Sequence, residues 1–97
     1  MSTAEPAVQH DPAQHRFFVR LPDGSDAILA YEPIGGDVLD LQHTIVPTAS
    51  QGQGVGESLV RAAVTHARRE RQRIVPTCHF VQAWLERHPE ERELIAA

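Results

Sequence analysis

Lysine is absent from the sequence: all nine basic residues are arginines. This absence excludes a lysine Schiff base, a lysine general base and a Walker-type phosphate loop, since each of them requires a lysine amine. Cysteine occurs once, at Cys78, so an internal disulfide and a multi-cysteine zinc site are also excluded. The six histidines lack close helical spacing such as HExxH, and we therefore expect no metal site.

Long apolar runs are missing as well. No stretch approaches the roughly 20 residues that a membrane-spanning helix needs, so the sequence excludes a transmembrane protein. Residues 1–15 contain Pro6 and Pro12 and no apolar core, so we expect a frayed leader rather than a signal peptide, and a cytoplasmic location. The net charge of −4 argues against non-specific nucleic-acid binding, which depends on a surplus of basic side chains.

The composition that remains, 41% hydrophobic and 23% charged, is typical of a globular protein and predicts one domain over residues 16–97. Residues 16–21 and 26–32 are rich in aromatic and aliphatic side chains and predict a hairpin. Residues 38–46 form a third extended region with a polar interruption. This pattern predicts two strands with a turn or bulge near residues 41–43.

The periodicity becomes helical after the loop at residues 48–53 and predicts a helix over about 54–71. A short strand at 74–77, a helix at 81–87 and a helical turn at 90–97 follow. A strand, a helix and a strand in this order imply two parallel strands joined by a right-handed crossover. We therefore predict an α+β (mixed α/β) fold: an antiparallel meander of three to four strands, a long helix, a parallel strand and a short C-terminal helix.

The most informative stretch lies between the predicted meander and the long helix, and reads Gln51-Gly52-Gln53-Gly54-Val55-Gly56. Its alternate glycines remove Cβ atoms that would keep a ligand away from the backbone, and the helix begins with unpaired N–H groups and a positive dipole end. This combination favours a phosphate or pyrophosphate site. The alternative is a flexible loop plus one glycine that lets helix and strand pack closely. The spacing does not fit a Rossmann loop, which reads GxGxxG in the first βαβ unit.

These six residues match the Q/R-x-x-G-x-G/A signature of the Gcn5-related N-acetyltransferases. Three further segments match in the same order: His43 to Pro47, Val75 to Cys78 and Leu85 to Glu90. The sequence therefore resembles the very small, single-domain branch of that superfamily, the YjdJ-like proteins, over about residues 16–95.

The resemblance implies that acetyl coenzyme A is the co-substrate and that the fold is that of the superfamily. Its pyrophosphate would lie against backbone N–H groups of the glycine loop and of the first helical turn. The pantetheine arm would run where two strands diverge and would hydrogen-bond the backbone of the preceding strand. The implied binding residues are Thr44, Ile45, Val46, Gln51, Gly52, Gln53, Gly54, Val55, Gly56, Glu57 and Ser58.

In this branch the residues that match His43 and Cys78 are the proposed catalytic pair. In one role, Cys78 accepts the acetyl group as a thiolate after His43 removes its proton. In the other, His43 is the general base for the acceptor and Cys78 donates a proton to the departing thiolate. The alternative for Cys78 is a small buried hydrophobe, and for His43 a polar residue that satisfies the backbone at a bulge.

The sequence departs from the branch at two positions. His79 stands where proline is common, and it offers a second partner for the thiol. Gln53 replaces a residue that is often basic, so the pyrophosphate would depend more on backbone N–H groups.

Two other functions stay open at this point: a coenzyme A-binding module with little transfer activity, and a structural domain in which the glycine loop serves packing alone. The sequence does not identify the acceptor. Its negative charge is compatible with a small cationic amine or a basic peptide. The oligomeric state is also open.

Overall fold

The computed structural model describes residues 7–96. Within this range no helix is both long enough and apolar enough to cross a bilayer. In chain order the strands and helices are β1 (Gln9–Asp11), β2 (Arg16–Arg20), β3 (Asp26–Pro33), β4 (Val38–Ile45), α1 (Val55–Arg69), β5 (Arg73–Pro76) and α2 (His79–Glu86). Short 3-10 helices occupy Pro12–Gln14, Thr48–Ser50 and Pro89–Leu94.

The five strands form one sheet in the order β1-β2-β3-β4-β5. Strands β1 to β4 are antiparallel neighbours, and β5 lies parallel to β4 after the chain has passed through α1. The predicted α+β fold, with an antiparallel meander, a long helix, a parallel strand and a short helix, is confirmed.

Both helices pack on one face of the sheet. Helix α1 contacts β2, β3, β4 and β5, and α2 contacts β4, β5 and α1. Alternate strand residues such as Phe17, Leu29 and Leu41 point into this core, where they meet Leu59 of α1 and Trp84 of α2. Burying these side chains is the main stabilising contribution, at about 1.5–3 kcal/mol for each large one.

The expectation of two strands over residues 38–46 is wrong. The region is the single strand β4, and the irregularity is a bulge: Tyr31 pairs with Leu41 and Ala30 pairs with His43, so Gln42 has no partner residue on β3. A bulge adds one residue without ending the ladder, and this explains why the polar interruption does not divide the strand.

The expected leader also differs from the structure. Gln9–Asp11 forms β1 and pairs with β2. Pro12–Gln14 forms a 3-10 turn, and the Asp11 carboxylate caps it by accepting a hydrogen bond from the Gln14 amide. The physical reason is tertiary: the His10 ring stacks on Phe17 with centroids 4.4 Å apart. The rest of the predicted leader, residues 1–6, lies outside the described range.

Candidate functional site

The site begins where β4 and β5 separate. The two strands pair from Val38 and Arg73 as far as Leu41 and Pro76, after which β4 continues beside β3 to Ile45 while β5 ends. The amide of Cys78 donates the last hydrogen bond between them, to the Leu41 carbonyl at 2.9 Å. The last residues of β4 therefore border a gap on one side, as expected where parallel strands diverge.

A cleft of about 540 Å³ opens at this gap, between the end of β4, the glycine loop and the start of α2. The predicted binding residues that line it are Thr44, Val46, Gln51, Gly52, Gly54, Val55, Gly56 and Glu57. Most of the residues that the sequence resemblance names thus lie around one cavity.

The glycine loop depends on left-handed backbone conformations. Gly52 and Gly54 both have φ near +81°, and Gly54 is the residue that precedes α1. A Cβ atom at either position would meet nothing within 4 Å, so these glycines are required by backbone conformation and not by lack of space. Gly56 differs: its Cβ atom would lie 2.9 Å from the Phe80 ring, so this glycine permits the approach of α2.

Backbone N–H groups at the start of α1 lie outside the helical hydrogen-bond ladder, in residues that line the cleft. The first helical hydrogen bond of α1 runs from the Ser58 amide to the Gly54 carbonyl, so the amides of residues 55–57 precede the helical ladder. The Gln51 side-chain amide donates to the Val46 carbonyl at 3.0 Å and fastens the loop to the end of β4. Free amides at the positive end of a helix dipole fit a diphosphate group.

One acidic residue adjoins this anion-favouring turn. The Glu57 carboxylate lies 3.8 Å from the Arg61 guanidinium one turn later, and both side chains are about half exposed. The ion pair partly offsets the negative charge of Glu57 at the helix start. Any fit of this turn to a phosphate therefore depends on backbone amides and the helix dipole.

Cys78 is buried immediately before α2, and its Sγ atom lies 3.5 Å from the Thr44 hydroxyl. Burial alone raises the pKa of this thiol. The hydrogen bond from Thr44 and those from the backbone amides of Val81 and Phe80 outweigh burial, so the pKa of Cys78 lies below its ordinary value. A larger fraction of this thiol is therefore ionised at neutral pH than in an isolated cysteine.

His43 lies on the other face of the sheet. It is exposed and pairs with Ala30, whereas its neighbour Thr44 pairs with the core residue Leu29. Adjacent strand residues point to opposite faces, so Thr44 and not His43 is the β4 side chain beside the Cys78 thiol. The bulge at Gln42 produces this arrangement, because without it His43 would share the face of Leu41.

Three other predicted binding residues lie outside the cleft. The Ile45 side chain is 54% exposed and pairs with Ile28, on the same sheet face as His43. Gln53 is exposed in the turn before α1 and does not line the cavity. Ser58 lines a different groove, between α1 and β1.

Sequence reasoning missed two residues that line the cleft, Ser50 and Phe80. Phe80 lies off the stripe that the buried Val81, Trp84 and Leu85 form on α2, with 42% of its surface exposed, and its side chain lines the cleft. Single exposed apolar residues are common on protein surfaces, so the sequence alone does not single out Phe80. Ser50 has no signal in the sequence either.

Comparison with known proteins places these features in a family context. A sequence model of the family described as GCN5-related N-acetyl-transferase matches residues 16–94. The Bos taurus protein NATD1 is 39% identical over 83 residues, which cover 84% of this chain and 74% of NATD1. The Homo sapiens NATD1 is 37% identical with the same coverage. The Danio rerio NATD1 is 34% identical over 88 residues, or 90% of this chain and 80% of that protein.

A solved structure supports the fold independently. The NMR solution structure of a GCN5-like protein from Staphylococcus aureus superposes with a TM-score of 0.73, covering 98% of this chain and 92% of that one. The two sequences are 23% identical in this comparison, so the similarity concerns the arrangement of the backbone.

Proposed function

Because the chain belongs to the GCN5-related N-acetyltransferase family, we propose that it is an acetyl-CoA-dependent N-acetyltransferase, which moves an acetyl group from a thioester to an amine. The observation that carries this proposal is the cleft itself. It brings the glycine loop and the end of β4 together at the point where two parallel strands separate, and Thr44, which lines it, lies 3.5 Å from the Sγ atom of Cys78.

The backbone of the glycine loop would hold the co-substrate. Amides of Gly52, Gly54 and the first turn of α1 would bind the diphosphate, and the cleft between Val46 and Phe80 would receive the pantetheine arm. The backbone amides beyond Leu41 on β4 would bind the arm and polarise the acetyl carbonyl. When bound, acetyl coenzyme A supplies an acyl group already activated as a thioester.

Cys78 is proposed to accept the acetyl group. In this step Cys78 attacks as the thiolate, its proton having passed to solvent. The bond from Cys78 Sγ to the acetyl carbon forms, the bond from that carbon to the coenzyme A sulfur breaks, and coenzyme A leaves as a thiolate that takes up a proton from solvent. The low pKa of the Cys78 thiol supports this role over that of a proton donor, since the thiolate is the nucleophile. Thr44 orients and stabilises the thiolate through its hydroxyl.

His43 is proposed to act on the acceptor. Its position at the edge of the gap, exposed on the sheet face opposite the core, leaves the ring open to an amine that arrives from that face. As the new N–C bond forms and the Cys78 S–C bond breaks, the amine proton passes to His43. The acceptor is proposed to be a small cationic amine or a basic peptide, which suits the net charge of −4.

The test is incubation with acetyl coenzyme A, followed by the intact mass of the protein and by peptide mapping. The proposal predicts an acetyl adduct on Cys78 that disappears when an acceptor amine is added and does not form in Cys78→Ala. The variant Cys78→Ser keeps the size of the side chain and serves as the matched control for folding. Acetyl transfer at an undiminished rate in Cys78→Ala would overturn the covalent route.

A second function, binding of coenzyme A without transfer, is supported by one observation. His43 and Cys78 lie on opposite faces of β4, so the two proposed catalytic groups are not in direct contact. Calorimetry with coenzyme A and a turnover assay separate the two functions. Heat of binding together with no adduct and no acetylated amine supports the binding module, whereas turnover supports the enzyme.

A further inference from the structure

A second groove lies on the other side of α1, between this helix and β1. Its volume is about 370 Å³, and within residues 7–96 it shares no lining residue with the cleft described above. The lining residues are Val8, Gln9, His10, Phe17, Ser58, Arg61, Ala62, Thr65, His66 and Arg69. The groove is therefore a separate feature of the molecule, and the proposed acetyl transfer does not use it.

The lining of this groove is basic in an acidic protein. Two arginines and two histidines line it, and among the described residues that do so none is aspartate or glutamate, although the chain has 13 acidic residues and a net charge of −4. The carboxylates that act on these groups come from outside the lining: Glu57 lies 3.8 Å from Arg61, and Asp11 adjoins His10 on β1. The local charge thus favours an anion.

The two imidazoles are held close together. The His10 ring stacks on Phe17, its Nε2 atom lies 2.6 Å from the Tyr31 hydroxyl, and its centroid is 4.5 Å from that of His66 in an edge-on arrangement. Burial and the neighbouring His66 lower the pKa of His10, and Asp11 opposes this shift. An anion in the groove would offset the repulsion from His66 and so favour the charged form of His10.

The groove also has an apolar wall. Val8, Phe17 and Ala62 line it beside the basic groups, so its surface suits a ligand with both an apolar body and a negative charge. Within the described residues no three metal-ligating side chains converge, so the geometry does not favour a metal ion. We propose that this groove is a binding site for a small organic anion, with its apolar body against Val8 and Ala62 and its carboxylate or phosphate oxygens facing Arg69 and His66.

Three probes of matched design test this proposal. Benzoate carries a flat apolar body and a negative charge, benzylammonium carries the same kind of body with a positive charge, and inorganic phosphate carries charge without the body. Each is titrated at constant ionic strength while the imidazole resonances of His10 and His66 are followed by NMR. The proposal predicts saturable shifts with benzoate, weaker shifts with phosphate and none with benzylammonium. Equal shifts with benzoate and benzylammonium would overturn it.

Two arginine substitutions test whether benzoate binds in this groove. Arg69→Gln is expected to weaken benzoate binding about two- to five-fold, the range for one partly exposed ion pair. Arg87→Gln removes an exposed arginine at the end of α2 and is the charge-matched control, expected to leave the affinity unchanged. Equal weakening in both variants would show that only net charge matters and would contradict a defined site.

The proposal is independent of acetyl transfer, and one further measurement separates them. Saturating coenzyme A is expected to leave the benzoate-induced shifts of His66 in place, because the groove and the cleft have no described lining residue in common. Loss of these shifts would show that the groove is part of the coenzyme site and would overturn the inference of a separate one. Failure of acetyl transfer itself would not affect either outcome.

Discussion

At the scale of single residues, the bulge at Gln42 decides which side chain of β4 enters the cleft. The sequence predicts an irregularity near residues 41–43, and the structure confirms it. The sequence pattern alone does not show to which face of the sheet the side chains after the bulge point. One inserted residue turns Thr44 toward Cys78 and His43 toward the opposite face. For this reason the sequence could name both candidate groups but not their relation in space.

The first residue-scale prediction concerns the hydrogen bond between Thr44 and Cys78. Thr44→Val removes the hydroxyl at nearly constant volume and should raise the pKa of the Cys78 thiol. A neutral hydrogen bond contributes about 0.5–1.5 kcal/mol, so the rate of alkylation by iodoacetamide at neutral pH should fall about two- to ten-fold. Thr44→Ser keeps the hydroxyl and is the control. An unchanged pH profile in Thr44→Val would show that the hydroxyl does not affect the thiol.

The second residue-scale prediction separates the roles of His43 and Cys78. His43→Gln should lower the rate of transfer to an amine by about 10²–10⁴-fold, the typical contribution of a positioned base. It should leave alkylation of the Cys78 thiol unchanged, since Thr44 and not His43 is its partner on β4. His15→Asn, which removes a histidine that does not line the cleft, is the control. A large fall in thiol reactivity in His43→Gln would contradict the separation of the two groups.

At the scale of elements, local conformation was predictable and tertiary contacts were not. The start of α1 is predicted at about residue 54 and observed at Val55, because glycine conformation and apolar periodicity are local properties. The approach of the Phe80 ring to Gly56 depends on how α1 and α2 pack together, and no local pattern encodes it. Strand β1 was missed for the same reason: it is three residues long and depends on the stacking of His10 on Phe17.

The glycine loop yields a prediction about backbone conformation. Gly54→Ala places a Cβ atom where φ is +81° but where no atom lies within 4 Å, so the cost comes from the left-handed backbone alone. We expect the free energy of unfolding to fall by about 1–2 kcal/mol, measured by urea denaturation. An increase in stability would show that residue 54 adopts a different conformation in solution.

Gly56 yields a different prediction, because a Cβ atom at this position would clash with the Phe80 side chain. Gly56→Ala should displace the Phe80 ring, whereas in a Phe80→Ala background the same change should stabilise α1 by about 0.5–1 kcal/mol through helix propensity. The two changes should therefore be non-additive in urea denaturation. Additivity within experimental error would contradict the close contact between the two residues.

At the scale of the whole molecule, both helices cover one face of the sheet, and the cleft opens where that sheet divides between β4 and β5. The His43 side of the sheet carries no helix within residues 7–96, and the proposed acceptor would approach from that side. From β2 onward the sequence correctly predicts the order of the elements and the parallel pair, apart from the division of β4 into two strands. It does not predict that β1 forms the edge of the sheet opposite β5 and the cleft.

The interaction of β1 with the core predicts how stability depends on pH. The pKa of His10 lies below its ordinary value of 6.5, mainly because of burial and His66, so the unfolded chain binds more protons than the folded one below that pH. The stability that neutral His10 contributes to the folded state is fully present above about pH 6.5 and is lost as the pH falls through the folded pKa. His10→Gln should therefore flatten the decrease of Tm on acidification. A slope identical to that of the parent protein would show that His10 does not contribute.

The central claim is that the backbone amides of the glycine loop and the first turn of α1 bind the diphosphate of acetyl coenzyme A. Titration of the labelled protein with acetyl coenzyme A, followed by amide NMR, tests it most directly. The account predicts that the largest saturable shifts fall on residues 51–58, with smaller ones at Thr44, Val46 and Phe80. Saturating acetyl coenzyme A with those resonances unmoved, or with the largest shifts elsewhere, would contradict it.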